Sequence, residues 1–299
     1  MRLAPKQFAM RRAAALLAIV MGLALVPAAS APAPILVAHR GGADLWPENT
    51  MTAFRNAGAL FADAGVPGWI ELDTQFTADH VLIVLHDATL DRTTNCTGPV
   101  VEMNAADVTQ CDADPDPQNV DPVPTTAQVL GEGRAAGWRL MIEIKDIPNE
   151  PGFDVDCNEL ADALVAAVDD ASFPRENLIV ESFWPLCLER LESRAPDIAT
   201  LLLTSSTTIN EITGIDTPVP LGFTLTINAA FATLRSYEYS SPDQDTIDLI
   251  GPVVDVAHLL GRKVVVWTVD DPARMTELAG IGVDGIISNR PDLLIDALA

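Results

Sequence analysis

Short apolar runs that stop at charged residues are the feature that most limits what this chain can fold into. Ile35 to Ala38 ends at His39-Arg40-Gly41-Gly42, and Trp69-Ile70-Glu71-Leu72-Asp73 carries two carboxylates within a hydrophobic stretch. Val81 to Leu85 ends at His86-Asp87, and Leu140 to Ile144 contains Glu143 and stops at Lys145. Strands are also expected at Leu178 to Val180, Ala199 to Leu203, Gly222 to Ile227, Lys263 to Val269 and Gly285 to Ser288. Helical periodicity marks the segments between them. From Met51 to Ala64, Ala53, Phe54, Ala57 and Leu60 share one face, with Asn49 and Thr50 available as N-caps. Further helices are expected over Thr125 to Ala136, Glu159 to Val168, Leu186 to Glu192, Thr246 to Leu260 and Pro272 to Leu278.

Strands alternating with helices of this length call for a parallel sheet covered by helices. Seven or eight such units in a 299-residue chain fit a TIM (β/α)8 barrel, an α/β fold in a single domain over residues 32–299. A doubly wound open sheet is the alternative. It would need a Gly-rich phosphate turn after the first strand, whereas His39-Arg40-Gly41-Gly42 runs into Asp44, Trp46 and Pro47. The second and third apolar runs are close enough to pair as a hairpin-like step. Residues 92–124, rich in Asp, Pro, Asn and Thr, read as an inserted loop.

The first 31 residues have the plan of a signal peptide: Arg2, Lys6, Arg11 and Arg12, an apolar stretch from Ala13 to Val26, then small residues. The apolar stretch is short of the roughly 20 residues that span a bilayer, so export and cleavage are expected rather than stable membrane insertion. The destination is then the cell envelope or the medium. Four cysteines (Cys96, Cys111, Cys157 and Cys187) suit two disulfides in an oxidising compartment. Of the three pairings, Cys96 with Cys111 and Cys157 with Cys187 is favoured, the others staying open. A net charge of −24 argues against nucleic acid and anionic lipid surfaces as general partners. Oligomeric state has no signature in the chain.

In such a barrel every strand ends at one face, which carries the active site. Residues from His39 to Lys145 would therefore converge there. Glu71 and Asp73 lie two apart on a strand, as do Glu143 and Lys145, so each pair points the same way. Glu71, Asp73 and Glu143 form a hard-oxygen cluster suited to one divalent metal, Mg²⁺ or Ca²⁺. Arg40 offers a planar fork for phosphate oxygens and Lys145 a point charge. His39 and His86 titrate near neutrality and suit an acid/base pair. Together these residues point to phosphoryl chemistry, while His80 and His258 read as structural.

The series AHRGG, WPENT, IELDTQFT, VLHDATLDRTTN, PTTAQVL, IEIK, VVVWTVDD and GVDGIISNRPD resembles the glycerophosphodiester phosphodiesterase family, in family order over nearly the whole chain beyond the signal segment. The resemblance implies a TIM barrel holding one divalent metal on Glu71, Asp73 and Glu143. It implies that His39 and His86 are catalytic, that Arg40 and Lys145 bind phosphate, and that a small-molecule glycerophosphodiester is cleaved to an alcohol and sn-glycerol 3-phosphate. Glu48 and Asp87 would support these residues, and Trp267 would line the substrate pocket. Gln128 and Trp184 stand where the family often has Glu and Asp. A barrel lipase of the sphingomyelinase D type and a catalytically silent phosphodiester-binding protein are the competing readings. Intact lipid vesicles separate the first, and binding without turnover the second.

Overall fold

The computed structural model describes residues 33–116, 118–145, 156–204, 237–244 and 251–299, with no side-chain description at 251–253 and 256. The signal segment expected over residues 1–31 and the strand expected at Gly222 to Ile227 lie outside the described residues. The described strands are β1 (Ile35–Ala38), β2 (Trp69–Phe76), β3 (Leu82–Val84), β4 (Leu140–Ile144), β5 (Leu178–Ser182), β6 (Ala199–Thr204), β7 (Tyr239–Pro242), β8 (Lys263–Val266) and β9 (Gly285–Ser288). Eight of them pair in parallel around a ring, in the order β1-β2-β4-β5-β6-β7-β8-β9, and β9 closes on β1 with Ala38 opposite Ser288. This is the expected (β/α)8 barrel.

Strand periodicity divides its residues into two shells. Val37, Trp69, Met141, Ile179, Leu201, Tyr239, Val265 and Ile287 fill the barrel interior as one cluster. Their even-numbered neighbours, such as Ala38, Ile70, Leu72, Ile142, Val180 and Ile286, pack outward against the helices in a second, larger cluster. Each buried Leu or Ile there contributes about 1.5–3 kcal/mol. Moving up by two from the interior set reaches His39, Glu71, Glu143, Glu181, Trp267 and Asn289 on six strands, and Leu203 and Ser241 on β6 and β7. The apolar interior layer therefore supports a polar layer directly above it.

The helices are α1 (Met51–Ala64), α2 (Ala105–Val108), α3 (Thr126–Ala136), α4 (Cys157–Ala171), α5 (Pro185–Arg194), α6 (Gly251–Leu259), α7 (Pro272–Gly280) and α8 (Pro291–Leu298); all but α2, inside the expected loop, and α8, at the C-terminal end, fall on expected segments. Thr50 caps α1 by accepting from the Ala53 N–H, and Thr125 and Gln128 form a reciprocal capping box on α3. Gln128, a departure from the family pattern, thus fills a helix-end role that Gln and Glu share. Both favoured disulfides, Cys96–Cys111 and Cys157–Cys187, are formed.

One feature bears out the sequence expectation in detail and two go beyond it. β3 is not a barrel stave: it runs antiparallel on the protruding end of β2, with Thr74 opposite Val84. This is the hairpin-like step, and it carries the chain back until the Leu85 N–H donates to the Asp73 carbonyl, so His86 returns to the rim. The insertion has a small core of its own, in which Ile83, Leu90, Val100, Val108 and Val123 surround Cys111. β7 has the sequence Tyr-Ser-Ser-Pro, too polar and too short to be recognised without its neighbours.

The turn after β1 sets the position of the site. Arg40 adopts φ 51° and Gly41 φ 81°, both left-handed. A Cβ added at Gly41 would lie 2.8 Å from Ala53 Cβ and 3.0 Å from Phe54 Cδ1, both on buried residues of α1. Gly41→Ala is therefore expected to destabilise the protein by about 1–3 kcal/mol, measured by urea unfolding, because it combines a strained φ with overpacking.

Candidate active site

The polar layer at the top of the barrel is mostly carboxylate. Strand register places Asp73 beside Glu143 and Glu143 beside Glu181, on β2, β4 and β5. Glu71 lies one interior position below Asp73 on β2. All four are at most 6% exposed. One carboxylate oxygen from each of Glu71, Glu143 and Glu181 comes within 4.8 Å of the other two. Glu181 Oε2 is buried with no hydrogen-bond partner.

Two cations answer these four groups. Lys145 Nζ lies 3.0 Å from Glu143 Oε1 and 3.3 Å from Asp73 Oδ1. Arg40 Nε lies 3.4 Å from Asp73 Oδ2, which also accepts from Asn49 Nδ2 at 2.7 Å. The left-handed turn at Arg40 also directs its backbone N–H to Glu71 Oε2. Burial opposes ionisation of Asp73, but Lys145 and Arg40 outweigh it and hold its pKa well below the usual value. The other three go the opposite way. Burial, then the Asp73 and Glu181 charges, raises Glu71; burial, then Glu143 and Asp73, raises Glu181; and burial pushes Glu143 up to about 8. These three therefore fit a hard divalent cation: they are oxygen donors, close together, and two of their oxygens, Glu143 Oε1 and Glu181 Oε2, are buried without a hydrogen bond.

The histidines approach from two sides of the rim. His39 Nδ1 lies 2.7 Å from Asn289 Oδ1, and its Nε2 lies 3.9 Å from Glu71 Oε2. Burial, reinforced by the Arg40 charge, pushes its pKa down to about 4, so His39 is neutral at pH 7. His86 Nδ1 lies 2.7 Å from Asp87 Oδ1. Burial lowers the His86 pKa as well, with the Asp73 charge opposing it. Asp87 accepts two hydrogen bonds from Arg92, whose other bonds go to Glu48, and Glu48 in turn accepts from Arg40 Nη1. Hydrogen bonding from Arg92 holds Asp87 at about 2.

A groove of about 690 Å³ adjoins this network, lined by Trp46 and Glu48 and by Arg92, Asn95, Asp112 and Asp114 of the insertion. Trp267 caps the interior apolar cluster, where its ring meets Phe183 edge-on at 5.4 Å and its Nε1 donates to the Ser241 carbonyl. His80 pairs with Glu159 and His258 with Asp284.

His39, Arg40, Glu71, Asp73, His86, Glu143 and Lys145 are thus brought together as the sequence reading requires. It missed two residues. Glu181 was left beyond the end of β5, which continues through Ser182; it stands two positions above an interior apolar residue, Ile179, as Glu143 stands above Met141. Asn289 follows β9 directly, and only barrel closure brings it to His39. Asp73 lies beside the three-glutamate cluster, engaged by Lys145, Arg40 and Asn49.

Residues 39–293 match the sequence profile of the glycerophosphoryl diester phosphodiesterase family. A glycerophosphodiester phosphodiesterase of Caldanaerobacter subterraneus is 30% identical over 88% of this chain and 96% of that protein. One of Bacillus subtilis is 29% identical over 87% of this chain and 84% of its own length. Among solved structures, a glycerophosphodiester phosphodiesterase from Agrobacterium tumefaciens superposes with a TM-score of 0.66 at 26% identity, over 88% of this chain and 99% of that one. An Oleispira antarctica phosphodiesterase, solved with the product sn-glycerol 3-phosphate, gives 0.72 at 23% identity, over 89% and 96%.

Three carboxyls with raised pKa values weaken the metal-free protein as pH climbs from about 4.5, where they ionise in the unfolded chain, toward the folded value of about 8 at Glu143. A cation that binds the ionised groups removes that loss. The rise in melting temperature on adding millimolar Mg²⁺ or Ca²⁺ is accordingly expected to be larger at pH 8 than at pH 5, and Glu181→Gln is expected to reduce it.

Proposed function

The chain belongs to the glycerophosphoryl diester phosphodiesterase family, and we propose that it hydrolyses glycerophosphodiesters to an alcohol and sn-glycerol 3-phosphate, using one divalent cation, Mg²⁺ or Ca²⁺. The observation that carries this reading is the pair of imidazoles beside a buried cluster of carboxylates, with a guanidinium at the same rim. Glu71, Glu143 and Glu181 would hold the ion, with Asp73 adjacent. Bound there, it would supply Lewis-acid charge for the phosphate oxygens.

The chain's own residues supply the remaining functions. Arg40, with its fork already directed at the rim, is suited to orient a phosphodiester and to offset charge that grows on its oxygens. Lys145, held by Glu143 and Asp73, adds positive charge from below. The attacking hydroxyl gives its proton to one histidine as its oxygen bonds to phosphorus. The other histidine protonates the departing alcohol oxygen as that P–O bond breaks. If the nucleophile is the glycerol 2-hydroxyl, attack is intramolecular and entropically favoured. Water then opens the cyclic phosphate with the two imidazoles in exchanged roles. The groove between Trp46 and the insertion is placed to receive the alcohol half, and Trp267 to contact the substrate from the interior side.

Residues 1–31 are proposed as a signal peptide that directs the protein to the envelope or the medium. The two disulfides accord with an oxidising destination. N-terminal sequencing of the mature protein would place the cleavage between Ala28 and Ala33.

Incubation with glycerophosphocholine and related diesters should release sn-glycerol 3-phosphate, and chelator should stop it. Glu71→Ala should abolish turnover with the fold retained, and His39→Ala or His86→Ala should each cost about a hundredfold or more in kcat. Wild-type rates in both histidine variants would overturn the assignment.

A further inference from the structure

Asn289 is the one described side chain that bonds an imidazole at the rim through a neutral group, and its own environment leaves it a single orientation. Its Nδ2 donates to Asp270 Oδ2 at 2.9 Å. Asp270 Oδ1 accepts from the Asn289 backbone N–H at 2.8 Å and from Ser288 Oγ at 2.9 Å. An ionised carboxylate only accepts hydrogen bonds, so the amide nitrogen must face Asp270 and the amide oxygen must face His39. That oxygen also only accepts. At 2.7 Å, His39 Nδ1 must therefore carry a proton. In the neutral imidazole the lone pair is then on Nε2, which is directed toward the carboxylate layer, 3.9 Å from Glu71 Oε2.

The fold supplies this contact. β9 closes the barrel on β1 with Ile287 opposite Val37 and Ala38 opposite Ser288. Val37 and Ile287 both point into the interior. His39 and Asn289, one interior position further along each strand, are neighbours across the seam although 250 residues separate them. Asp270 reaches the same point from the segment after β8, where the Val269 N–H donates to the Ile287 carbonyl. His86 differs, because its Nδ1 faces the carboxylate of Asp87. A carboxylate stabilises an imidazolium; an amide oxygen fixes a tautomer without adding charge.

We propose that Asn289, oriented by Asp270, is a positioning residue that locks His39 as the Nδ1–H tautomer with Nε2 free, so that His39 is the proton acceptor and His86, backed by Asp87, the proton donor of the first step. In that step the attacking hydroxyl loses its proton to His39 Nε2 as its oxygen bonds to phosphorus. The proton on His86 Nε2 passes to the departing alcohol oxygen as the P–O bond breaks. The division of labour rests on the phosphodiesterase reading; the tautomer lock does not.

The test combines kinetics with ¹⁵N NMR of the metal-free full-length protein. Only four histidines are present, so the His39 ring signals are assignable by comparison with His39→Gln. Asn289→Leu is expected to lower kcat about 10- to 100-fold, the scale for losing a partner that orients a functional histidine. KM should stay within about twofold, and the His39 ring should shift from Nδ1–H toward the Nε2–H form. Asp270→Asn keeps the fold's shape but lets the amide turn over, and is expected to give a smaller loss in kcat with mixed tautomers. A His39 tautomer that is unchanged in Asn289→Leu, or in Asp270→Asn if Asn289→Leu does not fold, overturns the lock, whatever happens to kcat. A shifted tautomer with wild-type kcat overturns the role in catalysis. If the wild-type protein turns over no phosphodiester, the functional reading fails on its own, and the NMR comparison still decides the lock.

Discussion

Four carboxylates are buried together at the top of this barrel, and among the described residues two permanently charged side chains, Arg40 and Lys145, lie against them. Glu71, Asp73, Glu143 and Glu181 are all but inaccessible to water, and Arg40 and Lys145 are their counter-charges. If all four ionise, two negative charges are left over in a region where an uncompensated charge is expensive. Arg40 is shared with Glu48 as well, so the missing positive charge is at least that of one divalent cation. Without that ion the layer must take up protons, which is the direction in which burial and mutual repulsion drive Glu71, Glu143 and Glu181. The site is therefore built as half of a neutral assembly.

Barrel geometry explains how one layer can hold so much polarity without disrupting the fold. Residues two apart on a strand share a face, so the interior apolar layer fixes which residues come next above it. Parallel register then aligns Asp73, Glu143 and Glu181 on adjacent strands. The rim adds what staves cannot. β3 folds back from β2 to deliver His86, and the disulfide-bearing insertion after it carries Arg92. From there alternating charges run through Asp87 and Glu48 to Arg40, so the loop and the barrel rim share one electrostatic network.

Much of this was legible in the sequence, and what was not has physical causes. Each strand that supplies His39, Glu71, Asp73, Glu143 and Lys145 is a short apolar run with charge inside it or at its end, so both strand and site residue were visible together. Glu181 obeys the same rule, but a carboxylate after Leu-Ile-Val reads as the end of a strand unless the neighbouring register is known. The hairpin step that returns His86 to the rim was legible in the short connection between its two apolar runs, although their own pattern does not separate antiparallel from parallel pairing. β7 was unreadable because Ser and Pro dominate it, and its strand character comes from pairing with β6 and β8. The insertion's core is built from apolar residues at irregular intervals, which no period reveals. The contact between Asn289 and His39 exists only once the ring closes.

The claim that the carboxylate layer is completed by one divalent ion is tested most directly by calorimetric titration of Mg²⁺ or Ca²⁺ into chelator-treated protein at pH 7, repeated in buffers of different ionisation enthalpy. The account predicts one ion per chain, bound with release of protons from the glutamates, and weakened binding when Glu143 is replaced by Gln. Absence of binding at millimolar ion, or binding that Glu143→Gln leaves unchanged and that releases no protons, would contradict it.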